Sequence, residues 1–239
     1  MRSILFWGLF PFVLPQALNV RKNAPRSGSA RGPKSGTVGA GKSLNMVAIG
    51  DSIISGVGAS TLEKALVGQT ATALAEELDV EINWTTWGST GANTQKITQR
   101  LVPRLSDAPA DFILVSAGVN DVTSLSTVAA WKKQLTTLLS SLKKHSPSAL
   151  IAVAGIPPLR GFPLLPQPLR ALFGIRGKTF DAAAKKLIEK EKQVVYVPLE
   201  FEPRPEFFSA DGFHPSEPSY KEFGKLMADK LAETYRQSK

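Results

Sequence analysis

Four short blocks hold the residues of this chain that could do chemistry together. They are Gly50-Asp51-Ser52-Ile53, Gly88-Ser89-Thr90-Gly91, Gly118-Val119-Asn120-Asp121 and Asp211-Gly212-Phe213-His214-Pro215-Ser216. Between them they offer a hydroxyl, an imidazole, carboxylates, a side-chain amide and glycines with open backbone N–H groups. That set suits acyl transfer, which needs a nucleophile, a base, a group to orient the base and donors for an oxyanion. A serine hydroxyl is a poor nucleophile until a base takes its proton, and neutral imidazole does this near pH 7. The chain has two histidines, His145 and His214. His145 follows Lys143 and Lys144 at the end of a helical pattern, where a cation suits the helix macrodipole, and it reads as structural and exposed. His214 is therefore the candidate base for Ser52. Asp211, three residues earlier, can accept from the other ring nitrogen and hold the tautomer.

The elements that must position these blocks alternate. Short apolar runs at 46–49, 80–84, 112–116, 150–154 and 194–197 read as buried strands. Helical patterns lie between and after them, at 64–78, 94–105, 128–144, 180–191 and 217–235. Repeated strand–helix units predict an α/β fold, a parallel five-stranded sheet with helices on both faces and right-handed crossovers. Ligands of such sheets bind beyond the carboxyl ends of the strands. All four blocks fall there.

Taken singly, each block has a plain structural reading. Ser52 could cap a helix, Asp51 could brace a turn, and Asp121 could cap the helix that follows it. Asp211-Gly212 could be a turn before a helix, with Pro215 near the first helical position. Their convergence on one sheet edge favours a site.

The order and spacing of Gly50-Asp51-Ser52, Gly91, Gly118-x-Asn120-Asp121 and Asp211-x-x-His214 resemble the four motif blocks of the SGNH hydrolases, the GDSL esterases and lipases. The resemblance covers about residues 44 to 236. It implies a flavodoxin-like three-layer fold with strand order 2-1-3-4-5. It also implies hydrolysis of carboxylic esters of lipids, aryl compounds or acetylated sugars. Ser52, Asp211 and His214 would form the triad, and the N–H groups of Ser52 and Gly91 with the Asn120 amide would form the oxyanion hole. Ile53 replaces the usual leucine, a swap that conserves volume. Gly88 and Gly91 could each supply the second N–H; Ser89-Thr90-Gly91-Ala92 better matches the family's small-residue turn.

The stretch 156–175 carries five prolines and many apolar side chains. It reads as a lid or acyl-binding wall, with Leu159, Phe162, Leu164 and Leu165 as substrate contacts. A lipid-like or aryl acyl ester is then the expected small-molecule substrate, and an acetyl-carbohydrate is the rival.

Composition narrows the rest. The 239 residues include no cysteine, which excludes disulfides, thiolate metal sites and cysteine nucleophiles. No cofactor or metal motif is evident. The net charge of +9 is unevenly spread. Residues 1–43 hold seven bases and no acid, and the remainder is near neutral. Nucleic-acid binding thereby loses its support. Residues 1–22 are mostly apolar, interrupted by Pro11 and Pro15, and read as an uncleaved membrane anchor or interfacial segment, with a cleavable signal or a segment packed on the protein as alternatives. A membrane-associated or cell-envelope location follows from that reading, on a side of the membrane it leaves open, with a cytoplasmic location as the alternative. Residues 23–43, rich in Gly, Ser, Pro and base, read as a flexible basic linker to a hydrolase domain at 44–239. Within the linker, Gly36 to Ser43 spells the P-loop pattern. It lacks a strand before it and a helix after it, so nucleotide binding stays a minor alternative. A non-catalytic binding module is the third.

Overall fold

The computed structural model describes residues 2–25, 27–199, 201 and 204–238. A six-stranded sheet forms its centre, in the order β1-β3-β2-β4-β5-β6. The strands are β1 (Ser35–Val38), β2 (Lys42–Gly50), β3 (Val80–Gly88), β4 (Phe112–Ser116), β5 (Leu150–Ala154) and β6 (Val194–Val197). The five strands β2 to β6 run parallel in the expected order. Their side chains alternate between two cores. Val47, Ile49, Ile113, Val115, Ile151 and Val153 face one, and Met46, Ala48, Phe112, Leu114 and Ala152 face the other. Burial on both faces is why these strands read as continuous apolar runs.

Seven α-helices are described: α1 (Arg2–Asn23), α2 (Leu66–Leu78), α3 (Thr94–Arg100), α4 (Val119–Thr123), α5 (Val128–His145), α6 (Leu169–Ile188) and α7 (Glu217–Gln237). α2 and α7 cover one face of the sheet, and α3, α5 and α6 the other. Asn93 caps α3 by accepting from the Lys96 N–H at 3.0 Å, and Thr127 caps α5 by accepting from the Ala130 N–H at 3.1 Å.

The reading of residues 1–22 as a membrane-spanning anchor needs correction. No helix among the described residues is long and apolar enough to cross a membrane. Instead α1 lies on the protein. Phe6, Phe10 and Val13, spaced for one helical face, are buried in the α6 side of the core. Phe6 and Phe10 both pack on Phe173, at 6.3 and 6.5 Å between ring centroids. The stretch 23–43 is not simply a tether either. Ala30 and Arg31 donate to the carbonyls of Ser55 and Ser60. β1 adds to the sheet edge, antiparallel to β3. Gly36 is what lets it approach, because a Cβ there would stand 2.5 Å from the Trp84 ring. The P-loop-like string is divided between β1, a turn and the start of β2, with no helix N-terminus to hold a phosphate.

α6 also begins eleven residues before the predicted start at 180. The second half of the expected lid is therefore helix, and Leu169, Leu172 and Phe173 are core residues rather than exposed ones.

Candidate active site

The site lies where the parallel strands end. β2 runs into a tight turn at Asp51, so Ser52 stands just beyond the sheet edge, 7% exposed. Ser52 Oγ is 3.0 Å from His214 Nε2, and His214 Nδ1 is 2.7 Å from Asp211 Oδ2. The two partners come from one loop between β6 and α7. Its turn is organised by the other oxygen of the same carboxylate. Asp211 Oδ1 accepts from the Phe213 N–H, the His214 N–H and the Ser209 hydroxyl, each at 2.9 Å. Gly212, at φ +66°, takes the left-handed position in that turn. Burial pushes the Asp211 carboxyl up, but the hydrogen bonds from His214 and Phe213 prevail, and its pKa falls to about 2. Asp211 is thus an anion across the physiological range.

Two further contacts join the His214 loop and helix to the nucleophile turn. The Tyr220 hydroxyl of α7 donates to the Val57 carbonyl at 2.7 Å. Glu217 accepts from the Ser60 N–H and hydroxyl at 2.9 and 2.6 Å. Neither residue carried a readable signal, because each acts across more than 150 positions of sequence.

Asp51 braces the turn, as its plain reading suggests. Its Oδ1 accepts from the Ile53 N–H and the Ser116 hydroxyl of β4, both at 3.1 Å. Asp121 behaves otherwise than expected. It lies in the first turn of α4, but its carboxylate accepts from the N–H and hydroxyl of Thr94 at the start of α3, at 3.0 and 2.8 Å. It therefore ties α4 to α3 rather than capping its own helix. Beside it, the Asn120 amide donates to the Ala92 carbonyl at 3.0 Å and borders the same cavity as Ser52. Among the described residues, the N–H groups of Ser52 and Gly91 take part in no hydrogen bond. Gly91 has φ +75° with open space where a Cβ would stand. Gly88 ends β3, and a Cβ there would lie 2.3 Å from the Ser55 nitrogen. Gly88 is a packing glycine where strand and nucleophile turn meet.

His145 is half-buried rather than exposed. Its ring lies 2.8 Å from the Ser146 hydroxyl and 2.7 Å from the Ser106 carbonyl, far from the Ser52 site in sequence and in partners.

A cavity of about 50 Å³ opens beside Ser52 and His214. Its walls are largely apolar and include the rings of Phe162, Phe201, Phe207, Phe208 and Phe213, with Phe223 and Met227 from α7. Phe162 meets Phe208 and Phe213 edge-on, at 5.2 and 5.1 Å between centroids. Of the four predicted substrate contacts, only Phe162 borders this cavity. Leu159 and Leu165 are buried in the core, and the Leu164 N–H donates to the Gly212 carbonyl. The other phenylalanines went unread although Phe201, Phe207, Phe208 and Phe213 crowd the chain just before His214.

Comparison with known proteins bears on this arrangement. The GDSL-like lipase/acylhydrolase family matches residues 48–222. The chain is 30% identical over 185 residues to the GDSL-like esterase Rv1075c of Mycobacterium tuberculosis. The match covers 74% of this chain and 58% of that protein, so the chain spans little more than half of that relative's length. In fold it is similar to the lipase Lip_vut3 from a goat rumen metagenome, with TM-score 0.63 and 20% identity over 78% of this chain and 96% of that one. It is equally similar to a family 3 carbohydrate esterase of Clostridium thermocellum, with TM-score 0.63 and 19% identity over 81% and 99%.

Proposed function

The chain belongs to the GDSL-like lipase/acylhydrolase family, and from that premise we propose that it is a serine hydrolase of carboxylic esters, working through Ser52, His214 and Asp211. The observation that carries this reading is the continuous run of short contacts from Ser52 Oγ through the His214 ring to Asp211, opening on an apolar cavity.

The chemistry then proceeds in two halves. His214 Nε2 takes the Ser52 proton as Oγ attacks the ester carbonyl carbon. Negative charge gathers on the carbonyl oxygen, and the donors this reading assigns to it are the Ser52 and Gly91 N–H groups and the Asn120 amide. Losing one such donor costs about 2.7–4 kcal/mol of transition-state stabilisation. The tetrahedral adduct collapses to an acyl-Ser52, and the proton on His214 passes to the leaving alcohol. A water molecule, deprotonated by His214, then releases the acid and restores Ser52. Asp211 stays ionised throughout and balances the imidazolium.

The aromatic walls favour an apolar acyl group, lipid-like or aryl, over an acetylated glycan. A cavity near 50 Å³ holds only a few water-sized groups, which favours the short end of that range. p-Nitrophenyl acetate, butyrate and octanoate set against acetyl-xylan test the substrate class; turnover of the glycan alone would overturn it. The nucleophile is tested by a fluorophosphonate probe. Wild type should label and Ser52→Ala should not; labelling of both, or of neither, would refute the assignment.

A membrane surface is the partner we assign to α1. Its outer face leaves Leu9, Phe12 and Leu18 exposed, Phe12 by 81%. Arg21 and Lys22 follow in its last turn, and no acid occurs in residues 1–43. Gln16 of α1 holds the backbone at Gln167 and Leu169, so α1 docks beside the segment that carries Phe162. Exposed apolar side chains beside bases suit an anionic bilayer. Vesicles of phosphatidylserine and phosphatidylcholine should bind wild type more strongly than Phe12→Ser/Leu18→Ser, with binding reduced by salt. Equal binding of the two proteins would remove this partner.

A further inference from the structure

Arg176 of α6 is a buried cation, 4% exposed, with no carboxylate in salt-bridge range among the described residues. Burial without a counter-charge lowers its pKa to about 10, yet it remains charged at neutral pH. Its hydrogen bonds go instead to carbonyls. Nε donates to Val122 O at 3.0 Å, and Nη2 donates to Ser126 O. Val122 lies in the last turn of α4 and Ser126 in the short link between α4 and α5, so the guanidinium sits at the C-terminal end of α4, where a cation is favoured. α4 is five residues long and opens with Gly118 at φ +120°. A helix so short has little stability of its own. Two of its own side chains reach out, Asp121 to Thr94 and Asn120 to the Ala92 carbonyl, and Arg176 holds its far end from outside.

The guanidinium is in turn enclosed by rings. Phe180 lies 4.7 Å from it on α6 itself. Phe6 lies 4.4 Å away and Trp7 5.4 Å away, both from α1. These contacts exclude water, and that strengthens the hydrogen bonds beneath them.

We propose that Arg176 is a positioning residue for Asn120, fixing α4 so that the Asn120 amide stays aimed at the oxyanion, with the aromatic side chains of α1 as its cover. The proposal rests on the reading of Asn120 as an oxyanion donor. It goes beyond that reading by linking the N-terminal helix to the rate of the reaction. The link is physical and short. Val122, whose carbonyl Arg176 holds, is two residues from Asn120, and the Ser124 N–H closes the same turn on the Asn120 carbonyl.

The test is a double-mutant cycle in the full chain, with p-nitrophenyl butyrate as substrate. Asn120→Ala should lower kcat by about 10²- to 10³-fold. Arg176→Met should lower kcat by about tenfold with KM held within about twofold, because a misaimed donor is missed only in the transition state. With Asn120→Ala already present, Arg176→Met should change kcat by less than about twofold, since the donor it positions is gone. Losses that multiply in the double variant would overturn the proposal, as would an unchanged kcat in Arg176→Met. A wild-type kcat in Asn120→Ala would overturn the oxyanion reading itself, and the proposal with it. Should Arg176→Met fail to fold, Phe6→Leu serves in its place. It keeps the guanidinium and removes one covering ring. It should lower kcat by about threefold in wild type and leave it unchanged in Asn120→Ala. No loss in Phe6→Leu, or the same loss in both backgrounds, would then overturn the proposal.

Discussion

Asp51→Asn tests the electrostatics of the nucleophile turn. Asp51 is 2% exposed, beside Ser52. Burial is the main influence on its carboxyl and raises the pKa from 3.8 to about 6. The Ile53 N–H and the Ser116 hydroxyl pull it down, and nearby Asp121 pushes it up again. The native protein therefore holds this proton more tightly than the unfolded chain does. Stability from this group is complete below pH 3.8 and is lost as pH rises through about 6. The interval corresponds to about 3 kcal/mol. Asparagine keeps an oxygen to accept from Ile53 and Ser116 but has no proton to lose. Its second N–H adds a cost or gain that is the same at every pH. The stability of Asp51→Asn relative to wild type should thus rise by about 3 kcal/mol between pH 3 and pH 7.5. For a chain of this size that is a relative rise of about 6–12 °C in Tm. Urea unfolding of both proteins across that range measures it. Parallel stability profiles would show that the buried carboxyl titrates no differently in the fold, and the reasoning would fail.

Two further substitutions address the site. Asp211→Asn should keep the loop, because the amide oxygen can still accept from Phe213, His214 and Ser209. Its N–H₂ would face His214 Nδ1, leaving the ring proton on Nε2, where it blocks proton uptake from Ser52. A loss of about 10⁴-fold in kcat with near-normal KM is expected, and a loss under about tenfold would contradict the assignment. In wild type, the depressed Asp211 carboxyl contributes stability that is present above pH 3.8 and lost as pH falls through about 2. Asp211→Asn should therefore show a flatter acid-unfolding profile than wild type by circular dichroism. Phe162→Ala removes a ring from the cavity wall at a stability cost of about 3–5 kcal/mol. It should raise kcat/KM for octanoate relative to acetate esters; an unchanged ratio would mean that Phe162 does not bound the acyl group.

Much of the fold was legible because its strands are buried on both faces. Such strands must be apolar throughout, so the runs at 112–116, 150–154 and 194–197 coincide with β4, β5 and β6 to the residue. β1 was not legible. An edge strand needs only backbone pairing, and Ser35-Gly36-Thr37-Val38 has the composition of a linker. Its close approach depends on the missing side chain of Gly36 against Trp84, and a glycine in a glycine-rich stretch carries no signal. The start of α6 was hidden for the opposite reason. Pro163, Pro166 and Pro168 argue for loop up to the helix, and the apolar residues beyond them suit a lid as well as a core. Burial of Leu169, Leu172 and Phe173 decides between the two, and burial depends on what packs over them.

The chemical groups were easier to read than the surface they work on, and the reason is distance along the chain. Asp211 and His214 meet through a turn that one carboxylate builds. One oxygen gathers the backbone N–H groups, and the other takes the ring. A spacing of three residues is therefore a local requirement and is visible in the sequence. The cavity walls obey no such rule. Phe162 and Phe213 are 51 positions apart and touch only because the Leu164 N–H reaches the Gly212 carbonyl across the two loops. The same holds for Arg176, which lies more than 50 positions from Asn120 on another helix. Nothing in its neighbourhood marks a lysine- and arginine-bearing helix face as different there. What distinguishes Arg176 is that it points inward and finds carbonyls rather than acids. Substitutions that alter rate without touching the triad should therefore concentrate at such long-range contacts, and sequence spacing alone would not have nominated any of them.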